Sequence, residues 1–369
     1  MQGGCFAAWS VLVVLACAAV GPGGQPRPAD IVLPSGFSID YYARTVPGAR
    51  SLALSPGGIV YVGTRAQGVV YALVDTTRDG RADEVKTVAR GLTEPNGVAY
   101  RNGTLYVAEA NRIVRLDSID DRLDNPPEPR LVFDSFPPAV FHSWKYLGIG
   151  PDTMLYVSVG SPFNVGIPQD ERYATIMRVR LDGTRPEIFA RGIRNTVGFD
   201  WSPVSGELWF TDNGRDWLGD NLPPDELNRA PKPGLHFGWP YRFGRNVPDP
   251  QYGGKADPSQ VFTPSVLDLG AHMASLGMKF YTGKMFPASY RGQVFIAEHG
   301  SWNRTSPVGY RVVSATVDGD SAGFTVFAKG WLNGISAWGR PVDVLVMPDG
   351  ALLVSDDKAG AVYRISYRP

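Results

Sequence analysis

The sequence predicts an all-β fold, a six-bladed β-propeller, and three observations carry that prediction. One phrase recurs along the 369 residues: a turn with Pro, Gly or Asp, then two or three apolar or aromatic residues, then a small polar one. The recurrence has the period of propeller blades, near 40–55 residues. Amphipathic helical runs are nearly absent, while 43 Gly and 31 Pro supply many tight turns.

The repeats are SPGGIVYVGT (55–64), RNGTLYVAEA (101–110), GPDTMLYVSVG (150–160), SPVSGELWFTDNG (202–214), YRGQVFIAEHG (290–300) and MPDGALLVSDD (347–357). Tyr61, Tyr106, Tyr156, Trp209, Phe295 and Leu353 are then equivalent, spaced 45, 50, 53, 86 and 58 residues apart. Six phrases predict six blades. The 86-residue interval has room for a seventh. Residues 215–259 are instead rich in Pro, Gly and Asp with little strand alternation, so a long loop insertion is expected around 212–259 of a single domain spanning 30–369. The segment GFSIDYYA (36–43) reads as a strand without a phrase of its own. Pairing it with the last blade would close the ring and protect the sheet edges.

The first 24 residues, MQGGCFAAWSVLVVLACAAVGPGG, carry no charge and are too short and Gly-bounded for a membrane span. An export signal over 1–26 is the better reading, with a periplasmic or secreted destination. Val14-Leu15-Ala16-Cys17 is a passable lipobox, which would tie the protein to a membrane through a lipid on Cys17. Ala16-Cys17-Ala18 would equally serve ordinary cleavage. The two cysteines, Cys5 and Cys17, both lie here, so the remainder has neither disulfides nor thiol chemistry. Lys plus Arg equals Asp plus Glu, at 36 each, which argues against a nucleic-acid partner.

Chemistry must come from few groups. With thiols excluded, histidine is the natural base near neutral pH, and four are present: His142, His236, His272 and His299. His142 falls on the connection entering a blade. His272 and His299 fall on similar connections, and three such histidines would also suit a metal, although their spacing carries no ligand signature. His236 precedes Phe-Gly-Trp-Pro and is expected to pack in that turn. Arg65, Arg194, Arg304 and Arg340 flank different blade phrases. If they converge on one mouth they would bind a multiply anionic planar molecule. Trp217, Trp302 and Trp338 sit beside them in sequence. Asp212, Asp216, Asp220, Asp225 and Glu226 form an acidic stretch without EF-hand spacing.

These residues together resemble the soluble quinoprotein glucose dehydrogenases, and in particular their sorbosone- and aldose-sugar-dehydrogenase relatives. The resemblance covers nearly all of 30–369. It rests on His142 ahead of Gly150-Pro151-Asp152, on Gly192-x-Arg194-Asn195, on the Asn213-Gly214 loop leading to Asp225-Glu226, on Gly238-Trp239-Pro240, and on the segments AHMASLGMKFYTG and AEHGSWNRTSPVGYRV. The resemblance implies pyrroloquinoline quinone (PQQ) and Ca²⁺ as cofactors, a sugar as substrate, and a quinone or small redox protein as electron acceptor. It implies that His142 is the base, that Arg194 stabilises charge on the reacting quinone oxygen, and that Asn195 contacts the cofactor. Gly214 and Arg215 fall on the two residues whose backbone carbonyls hold Ca²⁺; the glucose enzymes have Pro at the second. Arg340 falls on an arginine that pairs with PQQ carboxylates, and Asn303 or Arg304 replaces a cofactor-binding Lys. The chain departs from the glucose enzymes at Ser161, where they carry an Asp near the base, at Val342, where a second cofactor arginine is expected, and at Gly270, near an aromatic that faces sugar. Arg65 and His272 are the candidates to fill these vacancies.

Two other classes fit the bare fold. A Ca²⁺-dependent lactone hydrolase would need acidic side chains converging on the central channel. A non-enzymatic propeller binding glycans or proteins would need no base beside an Arg-Asn pair.

Overall fold

A computed structural model describes residues 28–139, 141–318 and 321–369; the expected export signal and Cys17 lie outside them. Six four-stranded antiparallel sheets follow one another around a central axis, spanning 52–89, 97–133, 147–191, 199–271, 275–329 and 341–367. We number these blades one to six. The six equivalent positions all fall on the second strand of their blades. Tyr61 lies in Val60–Val62, Tyr106 in Thr104–Ala108, Tyr156 in Met154–Val159, Trp209 in Leu208–Asp212, Phe295 in Val294–Glu298 and Leu353 in Leu352–Asp356. The phrase therefore marks each blade's first hairpin, where the strand is covered on both faces and side chains alternate between two neighbouring clefts.

Each cleft between adjacent blades holds its own apolar cluster. Leu105 and Val70 meet between blades one and two, Leu155 and Ala108 between two and three, and Phe199 and Ile176 between three and four. Met278 and Leu227 meet between four and five, Phe295 and Val354 between five and six, and Leu353 and Val62 between six and one.

The ring closes as expected. Phe37–Ala43 pairs antiparallel with Ala361–Tyr367, so the outer strand of blade six comes from the start of the propeller. The long interval holds no seventh blade. It differs from expectation at its beginning, because Pro224–Ala230 is the third strand of blade four rather than loop. Polar Asp225, Glu226 and Asn228 hide its β character, yet all three are buried. The insertion proper lies between this strand and Leu267–Ala271. It lends Leu235–His236 as a fifth, parallel strand to blade three. His236 packs in its turn, against Phe262, and accepts the Gly238 amide.

Candidate active site

The connections at one end of the ring enclose a cavity of about 370 Å³ over the central axis. Its floor is apolar. Val197, Leu276 and Val342, from three different blades, pack there with Trp144. Val342 is 1 % exposed, so the position where the resemblance expects an arginine is part of a sealed floor.

His142 lies on the connection from blade two to blade three and lines this cavity. Its backbone presses on Gly160, where an added Cβ would come within 2.5 Å of the His142 Cβ. The ring is thereby set beside Ser161, with Nδ1 at 3.0 Å from both the Ser161 carbonyl and its Oγ. A carbonyl only accepts, so Nδ1 carries the proton and Nε2 is the lone-pair nitrogen. Ser161 Oγ in turn donates to the Phe163 carbonyl at 2.5 Å, which leaves its lone pairs for the imidazole. The serine that stands in place of a carboxylate therefore still orients the ring. Burial, and then the Arg194 guanidinium, hold the imidazole well below its ordinary range, so it is neutral at neutral pH.

Arg194 is buried and held from three sides. Nε donates to the Asn164 carbonyl at 2.9 Å, Nη1 to the Asn213 carbonyl at 3.2 Å, and Nη2 to Asn164 Oδ1 at 2.9 Å and Asp216 Oδ2 at 3.2 Å. Its backbone is fixed as well. The Asp212 carboxylate accepts the amides of Arg194 and Asn195 at 2.8 and 2.6 Å. Asp225 does the same for Gly214 and Ser275, at 3.1 and 2.9 Å. Burial raises Asp212 to about 7 and Asp225 to about 6, against the amides that favour their ionised forms. The acidic side chains thus shape the backbone around the cavity. Among the described residues, no group of three His, Cys, Asp or Glu is arranged to hold a metal, which removes the three-histidine alternative.

Arg65, Arg194 and Arg340 converge on the cavity, as do Asn195, Gly214, His272 and Asn303. Arg340 reaches the carbonyls of His299 and Gly300 at 3.0 and 2.6 Å. Arg65 lies 3.8 Å from the centre of the Trp144 ring and is paired with Glu94. His272 contacts the Gly219 carbonyl through Nε2 at 2.8 Å. One expectation needs correction, that of Arg304. Arg304 does not line the cavity, because its guanidinium is drawn to the carbonyls of Asp220, Ala271 and Ser306. Arg215 turns its side chain away into a smaller cleft, where it pairs with Asp249 at 2.9 Å. Trp338 packs on Trp331 and Tyr363 instead of joining Trp217 and Trp302.

The fourth guanidinium of the cavity is Arg50, which sequence reasoning missed. It precedes the first strand of blade one, and is bound to Asn96 Oδ1 at 2.5 Å and to Asp357 at 2.6 Å. Asp357 also meets His299 Nε2 at 2.9 Å. Burial holds that imidazole down to about 4. A lone Arg before an apolar strand carries no distinguishing signal. The contact that explains Arg50 spans 307 residues.

A propeller with a neutral, oriented imidazole facing four guanidinium groups defines a site for an anionic ligand and proton transfer. The chain belongs to the glucose/sorbosone dehydrogenase family, whose model matches residues 106–364. It is also 34 % identical over 350 residues to an uncharacterized protein of Borreliella burgdorferi, covering 91 % of this chain and 90 % of the relative. Among solved structures, it is similar to a PQQ-bound aldose sugar dehydrogenase of Streptomyces coelicolor, with 21 % identity and a TM-score of 0.67, covering 91 % of this chain and all of that one. A calcium structure of a Trichoderma reesei carbohydrate-active enzyme superposes with a TM-score of 0.80 at 20 % identity, over 94 % of this chain and 98 % of that one.

Proposed function

We propose that the protein is an exported sugar dehydrogenase that uses PQQ with Ca²⁺ to oxidise an aldose or an aldehyde sugar of the glucose or sorbosone type. The observation that carries this reading is the pairing of His142, its Nδ1 locked on Ser161, with the four-arginine cavity. The donor set fits the cofactor. Arg50, Arg65, Arg194 and Arg340 supply positive charge for a planar polyanion. Gly214, beside them, supplies a backbone carbonyl suited to a hard cation, as would Arg215 through its main chain. When bound, the quinone would serve as the two-electron sink.

The chain's own residues then have distinct tasks. His142 Nε2 would take the proton of the sugar's anomeric hydroxyl as hydride leaves the same carbon. Arg194, rigid in its cage of carbonyls, would lower the energy of negative charge growing on the accepting oxygen. Asn195 would position the ring system. Arg340 and Arg50 would hold its carboxylates, and His272 and Asn303 would border it. Electrons would pass on to a quinone or small redox protein.

The test mixes purified protein with PQQ and Ca²⁺, follows the visible spectrum, and then adds aldoses and a redox dye. Saturable binding and aldose-dependent dye reduction are expected. A protein that leaves the PQQ spectrum unchanged would overturn the reading. Hydrolysis of lactones without PQQ would favour the hydrolase class.

A further inference from the structure

A second cavity, of about 460 Å³, lies between blades four and five at the end of the ring away from His142. That volume is within the range of small-molecule sites. The strand Leu208–Asp212 runs from one cavity to the other. Trp209 lines the second cavity, while Asp212 holds the Arg194 and Asn195 amides beside the first.

Trp209 differs from its equivalents in two other blades, whose polar tips are closed by carboxylates of the fold. Tyr61 Oη donates to Asp120 at 2.6 Å, and Tyr156 Oη to Asp152 at 3.0 Å. Asp152 also accepts Arg178 at 2.9 Å, the residue opposite Tyr156 on the third strand. Blade four keeps this arrangement without the acid. Arg229 stands opposite Trp209 on its third strand, but Ser205 occupies the place of Asp152, four residues before the aromatic. Trp209 is 4 % exposed, and its Nε1 is buried with no hydrogen-bond partner among the described residues. A buried N–H in this state carries the full cost of its desolvation, so the acceptor is one that a ligand would bring.

The rest of the lining describes that ligand. Arg229 comes from blade four and Arg291 from the first hairpin of blade five. Arg291 is exposed and pairs with no carboxylate among the described residues. Glu207 is engaged by Ser205 Oγ at 3.0 Å and lies 3.6 Å from Arg229; the other lining carboxylate, Asp318, is exposed to water. Trp209 and Phe280, edge to face with centroids 5.9 Å apart, make an apolar wall, and Ser289 and Thr316 add hydroxyls.

We propose that this cavity is a second ligand site, for a polyhydroxylated carboxylate of the sugar-acid class. The ligand's carboxylate takes the place that Asp152 has in blade three, between the aromatic N–H and the guanidinium groups. Its C–H face lies on the aromatic wall, and its hydroxyls meet Ser289 and Thr316. Sugar acids form when the lactone left by aldose oxidation is hydrolysed. That link rests on the function proposed above, whereas the binding does not.

Calorimetry on the cofactor-free protein tests this, with sodium gluconate as probe and glucose as its neutral control. Gluconate is expected to bind about tenfold or more tightly than glucose. Arg340→Met, which alters only the central cavity, should leave gluconate affinity unchanged. Arg291→Met should weaken it about tenfold with Tm unchanged, and Trp209→Phe, which keeps a ring but removes the N–H, about fivefold. Ser205→Asp, which supplies the acid that blade three has, should abolish binding. Absence of gluconate binding, equal affinity for glucose, or affinity unaltered in both Arg291→Met and Ser205→Asp overturns the proposal. Loss of binding in Arg340→Met places the gluconate in the central cavity and also overturns it. Failure of PQQ to bind would defeat the function above while leaving this binding result standing.

Discussion

The clefts between blades and the cavity at their centre are built by opposite rules. Each cleft repeats one arrangement, with apolar side chains from two strands interdigitating and no charge needed. The cavity repeats nothing. The polar groups that line it come from several connections, and its principal side chains are each held by a bond made once: His142 on Ser161, Arg194 on Asn164, Arg340 on the His299 carbonyl. The ring supplies a rigid frame, and function sits where its symmetry is broken.

The comparison can be broken most sharply at His142. His142→Ala is expected to lower kcat by about 10²–10⁴-fold, because general-base catalysis contributes that much, with little change in Tm. Aldose-dependent dye reduction checks this, and an unchanged rate would remove the histidine from the chemistry. The converse change is Phe295→Ala in the cleft between blades five and six, where the ring is fully buried. It should destabilise by about 3–5 kcal/mol in denaturant titration. Cofactor affinity of the folded fraction should be unchanged. Arg340→Met, which keeps the stem but removes the charge, is expected to weaken PQQ binding by about 10–100-fold, read from a spectral titration. The smallest effect is at Ser161. Ser161→Ala leaves the carbonyl acceptor in place and should cost a few-fold in rate. Ser161→Asp places a carboxylate beside the imidazole and favours its charged form. The sign follows: burial and Arg194 hold His142 below 6.5, so the acid limb of kcat lies below that value. The aspartate should move it to higher pH.

The frame was legible because it is repetitive. Alternating apolar strands and Gly or Pro turns revealed the blades, and an unassigned strand at 36–43 revealed the closure. The strand at 224–230 was hidden because Asp225 and Glu226 are buried by satisfying backbone amides, including those of Gly214, Ser275 and Gly244, rather than by being apolar. Resemblance to a family located His142 and Arg194, but not what holds them. Arg304 and Asn303 are neighbours in sequence, and which of them faces the cavity depends on carbonyls as far as 84 residues away. Arg50 needed knowledge of a contact between the two ends of the chain.

That last contact has a consequence for how the protein comes into being. Arg50 is among the first propeller residues to leave the ribosome and Asp357 among the last, and the strand at 37–43 has no partner until 361–367 exists. A nascent chain can therefore assemble the middle blades in order while its ligand cavity still lacks one wall. The site is finished only when the last blade is, so a polypeptide cut short before residue 357 presents cofactor with an open trough instead of a receptor.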